Sequence, residues 1–266
     1  MSAPATQTAA PVKMAMTAPV TQQTSVPSGG GLIQLVLQLA EQLFDGLWAR
    51  YQANRAVSRE TAYVAEAEHF ARRSLQNIAL SYLMLSGKAE VLAACLEQFE
   101  SADNMTERLA ALAVLVNSPF ETEKAAALAS FAEFFKDNAL VMDQWFSVQA
   151  ACALPGALQR VEQLMQHPAF TLKNPNKVRA LIGAFAGQNL LGFHQADGSG
   201  YRFLADQVIV LNALNPQIAS RLLAPLTRWR KYDSARQALM RAELERILAS
   251  GELSSDVYEV VSKSLA

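Results

Sequence analysis

The residue types best suited to nucleophilic, acid–base or metal chemistry are few in this chain: three histidines and two cysteines. His69, His167 and His194 are scattered, with no pair four positions apart and no H-E-x-x-H string. The spacing that lets two imidazoles grip one metal from a helix face is therefore missing. Neither Cys95 nor Cys152 has a second cysteine or a histidine near it, and no G-x-S-x-G elbow is present to present a serine nucleophile. Asp197-Gly198-Ser199-Gly200 is rich in glycine but follows a helical segment rather than a strand, which argues against a phosphate cradle. The carboxylates are spread over helix faces, where pairing with Lys or Arg a turn away is their ordinary use. No nucleophile, general base or metal ligand set emerges, so no catalytic residue is expected and the chain is not expected to work as an enzyme alone.

A basic run, Arg228, Arg230 and Lys231, interleaves with Trp229 and Tyr232 in the manner of a nucleic-acid contact. The formal net charge of −1 gives such a contact no support. Cations gathered at the end of a helix favour its dipole, and that explains the run without a ligand. Neither nucleic acid nor an anionic membrane is expected as a partner. The first thirty residues carry a single Lys and no apolar run of signal-peptide length, and the apolar stretch 32–39 is too short to span a bilayer. The expected location is cytoplasmic. Cys95 and Cys152 would accordingly be two buried free thiols, although a single disulfide between them stays open.

The elements that must carry any site are helical. Hydrophobic residues make up 51% of the 266 and charged ones 18%, enough apolar surface for a large core with a thin polar shell. Residues 1–31 are built from Ala, Pro, Thr, Ser, Gln and Gly and predict a disordered tail; residues 32–266 predict a helical domain. Helix starts are marked by Asn104 with Glu107 as a capping box, Ser118-Pro119-Phe120-Glu121, Asn174-Pro175, Asn215-Pro216, Asp233 and Ser255. Apolar residues recur every three or four positions, as in Leu109, Leu112 and Val116 or Leu128, Phe131 and Phe135, and no segment alternates like a strand. Helices of some 12–18 residues joined by short turns are expected, and the two Asn-Pro signals stand ahead of helical segments at Val178–Phe185 and Ile218–Trp229. The fold class predicted is all-α: an irregular α-solenoid of stacked antiparallel helix pairs forming a superhelical bowl.

Long stretches of the sequence then carry a resemblance. QHPAFTLKNPNK, VRALIGAFAGQNLLGFHQADGSGYRFLADQV and LNALNPQIASRLLAPLTRWRKYDSARQALMRAEL run in order, preceded by FARRSLQNIALSYL, ADNMTERLAALAVLVN and LVMDQWFSVQA and followed by YEVVSKSLA. From about Leu35 to Ala266 the chain resembles the C-terminal helical domain of bacterial aminopeptidase N, zinc metallopeptidases of the gluzincin aminopeptidase family. The resemblance implies a domain that caps a catalytic domain and walls the peptide-substrate cavity. It also implies that the zinc motif, its distal glutamate and the G-x-M-E-N segment belong to parts of the enzyme that this sequence does not contain. No cofactor is expected in this chain, the zinc being that of the absent catalytic domain, and a truncated open reading frame is the expected origin. Arg179 in NPNKVR and Gln217 with Arg221 in NPQIASR match positions that line the cavity beyond the scissile bond. Gln217 and Arg221 stand four apart and so share a helix face. The same arginines in salt bridges between neighbouring helices are an equally open reading.

Three functions are carried forward. The first is a fragment or split subunit of an aminopeptidase, whose partner is the catalytic domain and which meets peptide only in the assembled enzyme. The second is an independent α-helical repeat scaffold for protein interaction, which predicts a polar outer surface. The third is a haem binder: VKMAMTAPVTQQ, within 12–23, is similar to a short stretch of the SOUL haem-binding family.

Overall fold

Short polar side chains cap several helices of this protein, whose computed structural model describes residues 29–266. The tail and the haem-like stretch at 12–23 lie outside the described residues. α1 (Gly29–Glu60) is the first helix of the described residues, its first turn taking in three glycines assigned to the tail by composition. α2 (Ala67–Met84) and α3 (Ala89–Ser101) follow, then α4 (Met105–Val116), α5 (Glu121–Phe135), α6 (Ala139–Ala150) and α7 (Ala157–Leu164). The second half is more broken: α8 (Pro175–Val178), a π-helical turn at Arg179–Gly183, α9 (Ala184–Gln188) and α10 (Leu190–Phe193). α11 (Ser199–Leu214), α12 (Pro216–Leu222), α13 (Ala224–Thr227), a 3₁₀ turn at Trp229–Lys231, α14 (Ser234–Leu248) and α15 (Ser255–Leu265) complete it. No strand occurs among the described residues. Successive helices pack in layers as an all-α solenoid, α1 on α2, α3 on α4, α5 on α6, and later α11 on α12 and α14 on α15.

Asn104, Asn174, Asn215 and Asp233 cap as their sequence context predicts, each accepting a bond from a first-turn N–H. Four readings need correction. Glu107 does not return to its capping residue; it is drawn into the interior by Arg55. Ser118 is buried and its hydroxyl donates to Leu115 O at 2.7 Å, so it closes α4, and α5 starts from Phe120 with no side-chain cap. The last helix is capped by Ser254, one residue before the expected Ser255, accepting from Val257 N. Finally, Val178–Phe185 and Ile218–Trp229 are not continuous α-helices: the first contains the π turn, and the second breaks between α12 and α13 and again before the 3₁₀ turn.

One core runs the length of the molecule, from Leu80 and Leu83 through Leu112, Leu115 and Phe146 to Phe185, Tyr201, Leu244 and Val261. Each fully buried leucine contributes about 1.5–3 kcal/mol relative to exposure, which is why the 3-to-4 periodicity dictates which face turns inward. Cys95 and Cys152 are free and buried, donating weakly to Ala111 O and Val116 O. Near the first layer a polar cluster is enclosed. Arg55 Nη1 donates to Glu107 at 2.9 Å and Arg55 Nε to Glu97 at 3.1 Å, while Ser101 also meets Arg55. Ser58 donates to the other Glu107 oxygen, and Gln76 to Gln98. Every strong acceptor in this cluster has a donor, the condition for burying charge without a large penalty.

Candidate functional site

Arg179 and Arg221 come to the same depression although 42 residues separate them in sequence. Asn174 Oδ1 accepts from Asn176 N at 2.9 Å and Pro175 fixes the first turn, so α8 leaves its loop in a defined direction. Buried Lys177 ties α8 to α6 through Asp143 at 2.8 Å and Ala139 O at 3.1 Å. Arg179 then begins the π turn, in which Ala184 N–H reaches back five residues to Arg179 O. The Ser147 hydroxyl of α6 donates to Ala180 O at 3.0 Å, satisfying a carbonyl inside this widened turn. With Val178, Ala180, Leu181 and Ile182 all buried, Arg179 is the side chain that must face outward.

α12 supplies the opposite side. Asn215 Oδ1 accepts from Ile218 N at 3.2 Å, and Ile218, Ala219 and Leu222 face the core, which leaves Gln217 and Arg221 on the exposed side. Between the two arginines lies a depression of about 310 Å³, floored by Gly183, Ala184 and Leu222 and flanked by Gln188. Gln217 is exposed one turn from Arg221 but does not line this depression. Arg179 Nη1 donates to Asn176 Oδ1 at 2.9 Å, which steadies one edge of its guanidinium and leaves the other donors outward. Among the described residues neither Arg179 nor Arg221 pairs with a carboxylate, so the salt-bridge reading of these arginines finds no partner. The lining offers two cations and one amide, and no carboxylate, imidazole, thiol or phenol. Such a surface can hold carbonyl or carboxylate oxygens by charge-assisted hydrogen bonds, and has no group to move a proton or attack a bond.

A second, larger cleft of about 950 Å³ lies beside His194, between the loop before α7, α10 and the start of α14. Tyr201 Oη meets His194 Nδ1 at 2.8 Å, Tyr232 Oη meets Nε2 at 3.0 Å, and the Tyr232 ring stacks on the imidazole. Arg236 donates twice to His194 O and pairs with Asp233. Burial, then the Arg236 charge, lowers the His194 pKa, so the ring is neutral at pH 7 and accepts from one tyrosine while donating to the other. This histidine is half-buried and fastens α10 to α11 and α14. His167 is equally structural, its Nδ1 accepting from Ala169 N with the ring against Trp145 and Phe146. Arg230 of the basic run donates to Ser264 O at 2.7 Å and lies over Trp229. Among the described residues no three His, Cys, Asp or Glu side chains gather where a metal could bind. No helix among the described residues is long and apolar enough to cross a membrane.

Against known proteins, residues 32–266 match a family model described as "Domain of unknown function (DUF3458_C) ARM repeats". Aminopeptidase N of Escherichia coli (strain K12) is 43% identical over 234 residues, covering 87% of this chain and 26% of the relative. Aminopeptidase N of Haemophilus influenzae is 38% identical over 228 residues, covering 86% of this chain and 25% of the relative. The chain thus spans about a quarter of the length of the curated relatives it matches. Among solved structures, Legionella pneumophila aminopeptidase A in complex with aspartic acid superposes with a TM-score of 0.79 at 31% identity. That alignment covers 89% of this chain and 28% of the other.

Proposed function

The chain belongs to the DUF3458_C family of ARM-repeat domains, and from that membership we propose that it is the non-catalytic part of an aminopeptidase, walling the cavity that holds the peptide. The observation that carries this reading is the 43% identity to aminopeptidase N, extending over nearly all of the helical region. The arginine depression supports it from chemistry. Two unpaired guanidiniums facing outward without a carboxylate partner suit a wall that receives the carbonyls or terminal carboxylate of a peptide. Gln217, adjoining Arg221 on α12, would extend that wall with an amide able both to donate and to accept. The zinc and the catalytic groups would come from the other part of the enzyme, which is the partner this reading requires. The buried free thiols fit a reducing, cytoplasmic setting for the assembly.

A polar-surfaced, self-sufficient scaffold is the competing reading, and the surface disfavours it. Phe134, Leu140, Leu190 and Leu191 are each more than 60% exposed, the kind of surface that calls for a cover. The test is peptidase activity on an alanyl chromogenic substrate, with the purified chain alone and mixed with a separately produced catalytic fragment of a relative lacking this region. Activity and co-elution are expected only in the mixture. A mixture that neither co-elutes nor turns over would remove the enzyme reading and leave the scaffold; turnover by the chain alone would contradict the absence of catalytic groups.

A further inference from the structure

Arg179 is held by an amide where a carboxylate would be the ordinary partner. Its Nη1 donates to Asn176 Oδ1 at 2.9 Å, three residues earlier on the chain. Asn176 is fixed in turn, because its backbone N–H donates to Asn174 Oδ1 at 2.9 Å at the head of α8. An aspartate in that place would have the same reach and shape and would grip the guanidinium more tightly. It would also cancel the charge. The amide restrains one edge of the fork and leaves the full positive charge to whatever enters the depression.

The carboxylate nearest in the packing is kept from Arg179. Asp143 belongs to α6, against which α8 and the π turn pack, and it meets the buried Lys177 at 2.8 Å. Lys177 turns inward and Arg179 outward, so the inner cation takes the acid and the outer one goes without. The sequence around the depression is cleared of acids in the same way. No Asp or Glu occurs from 163 to 196, the stretch that supplies Arg179 and Gln188, nor from 207 to 232, which supplies Arg221. Every Lys or Arg in both stretches therefore adds to one sign of field. The chain as a whole has a net charge of −1, so this exclusion is local to the depression. A neutral carbonyl oxygen does not need carboxylates cleared from its surroundings, whereas an anionic ligand does, since like charges repel it on approach and in place.

We propose that the depression takes a carboxylate of the peptide, and that Asn176 is the positioning residue that aims Arg179 at it without neutralising it. The inference rests on the aminopeptidase reading and narrows it to a substrate class: peptides that bring an anion to this wall. A peptide carries such a group at its free C terminus or on an acidic side chain, and substrate choice separates the two.

The test uses the full chain mixed with the catalytic fragment, and three substrates: trialanine, trialanine amide, and Ala-Ala-Glu amide, whose one carboxylate is a side chain. With the parent chain, kcat/KM for at least one carboxylate-bearing peptide should exceed that for trialanine amide by about fivefold or more, chiefly through KM. Which peptide gains identifies the source of the anion. Asn176→Asp keeps the bond and adds a charge, and should cut that preference by about two- to fivefold. Asn176→Ala should cut it by less, and in an Arg179→Ala background it should change the preference no further. In the chain alone, nitrogen-15 relaxation should find the Arg179 side chain freer in Asn176→Ala and as ordered as the parent in Asn176→Asp, a measurement that does not depend on turnover. Equal kcat/KM for all three substrates, an Asn176→Asp preference equal to the parent's, or an Arg179 equally ordered in Asn176→Ala would each overturn the proposal and leave the aminopeptidase reading standing. A parent mixture that turns over none of the substrates would overturn that reading, and the carboxylate site with it.

Discussion

Arg55 and Glu107 meet at 2.9 Å across 52 residues of sequence, their side chains 4% and 3% exposed. The pair joins α1 to α4, and Glu97 and Ser58 complete the bonding on either side. Burying charge is tolerable here because each oxygen and each guanidinium edge is met.

Arg55→Met should therefore destabilise the fold by about 3–5 kcal/mol, because the substitution leaves Glu107 charged, enclosed and without its cation. Replacing Arg55 and Glu107 together by apolar residues of similar volume should cost far less. Chemical denaturation of the two variants against the parent chain reads the difference directly; equal losses would mean that packing rather than charge holds this layer.

Acid should weaken the same layer. Partial burial alone would raise the Glu97 carboxyl, but hydrogen bonds from Arg59, Arg55 and Ser101 outweigh it and hold the group at about 2, below its ordinary 4.5. A carboxyl lowered in the fold contributes stability that is present above its unfolded value and lost as the pH falls toward the folded one. Thermal midpoints should thus decline between pH 4.5 and 2. In Glu97→Gln the decline should be shallower, and the variant should already be weaker at neutral pH.

Much of this was legible in sequence because it is local. A cap such as Asn174 or Asp233 is a bond between residues two or three apart, so the side chain and its receiver are written side by side. Glu107 has the same local signature, yet a cation 52 residues away takes its carboxylate instead. Ser118 departs from its local signature for a related reason: its hydroxyl has two helices within reach and turns back to the finished one. The arginines of the site could be named from resemblance, whereas the π turn that seats Arg179 has no compositional mark. Its extra residue is paid for by burial and by Ser147, neither of which shows in the string of letters.

Gly200→Ala should be among the most damaging single changes. A methyl there would stand 2.2 Å from Phe193 O, a backbone atom that cannot swing aside, so α10 and α11 would have to part. Overpacking of this kind costs about 1–3 kcal/mol or more. A small shift in denaturation midpoint would show that the two helices can slide.

Arg179→Ala and Arg221→Ala should leave stability within about 0.5 kcal/mol of the parent, since both side chains are exposed and bear no structural ion pair. In the complemented peptidase each should lower kcat/KM by about tenfold or more, the loss expected for one charge-assisted hydrogen bond. Unchanged peptide kinetics in both variants would remove these arginines from the cavity wall.

The two thiols should be silent in the native protein. Burial pushes the Cys95 thiol up to about 12, and Cys152 is equally enclosed. A thiol reagent should label neither at neutral pH until denaturant is added, when both should react together.

The π turn at Arg179–Gly183 makes the aim of Arg179 a question of counting. Removing one residue after Arg179 in this turn would let the segment relax into an ordinary α-helix with both flanks keeping their facing, because the wide turn is what takes up the additional residue. The same deletion in a regular stretch such as α11 would instead rotate everything before it by about 100° against everything after it. The wide turn is therefore a place where the length of the wall can change by one without turning Arg179 away from Arg221.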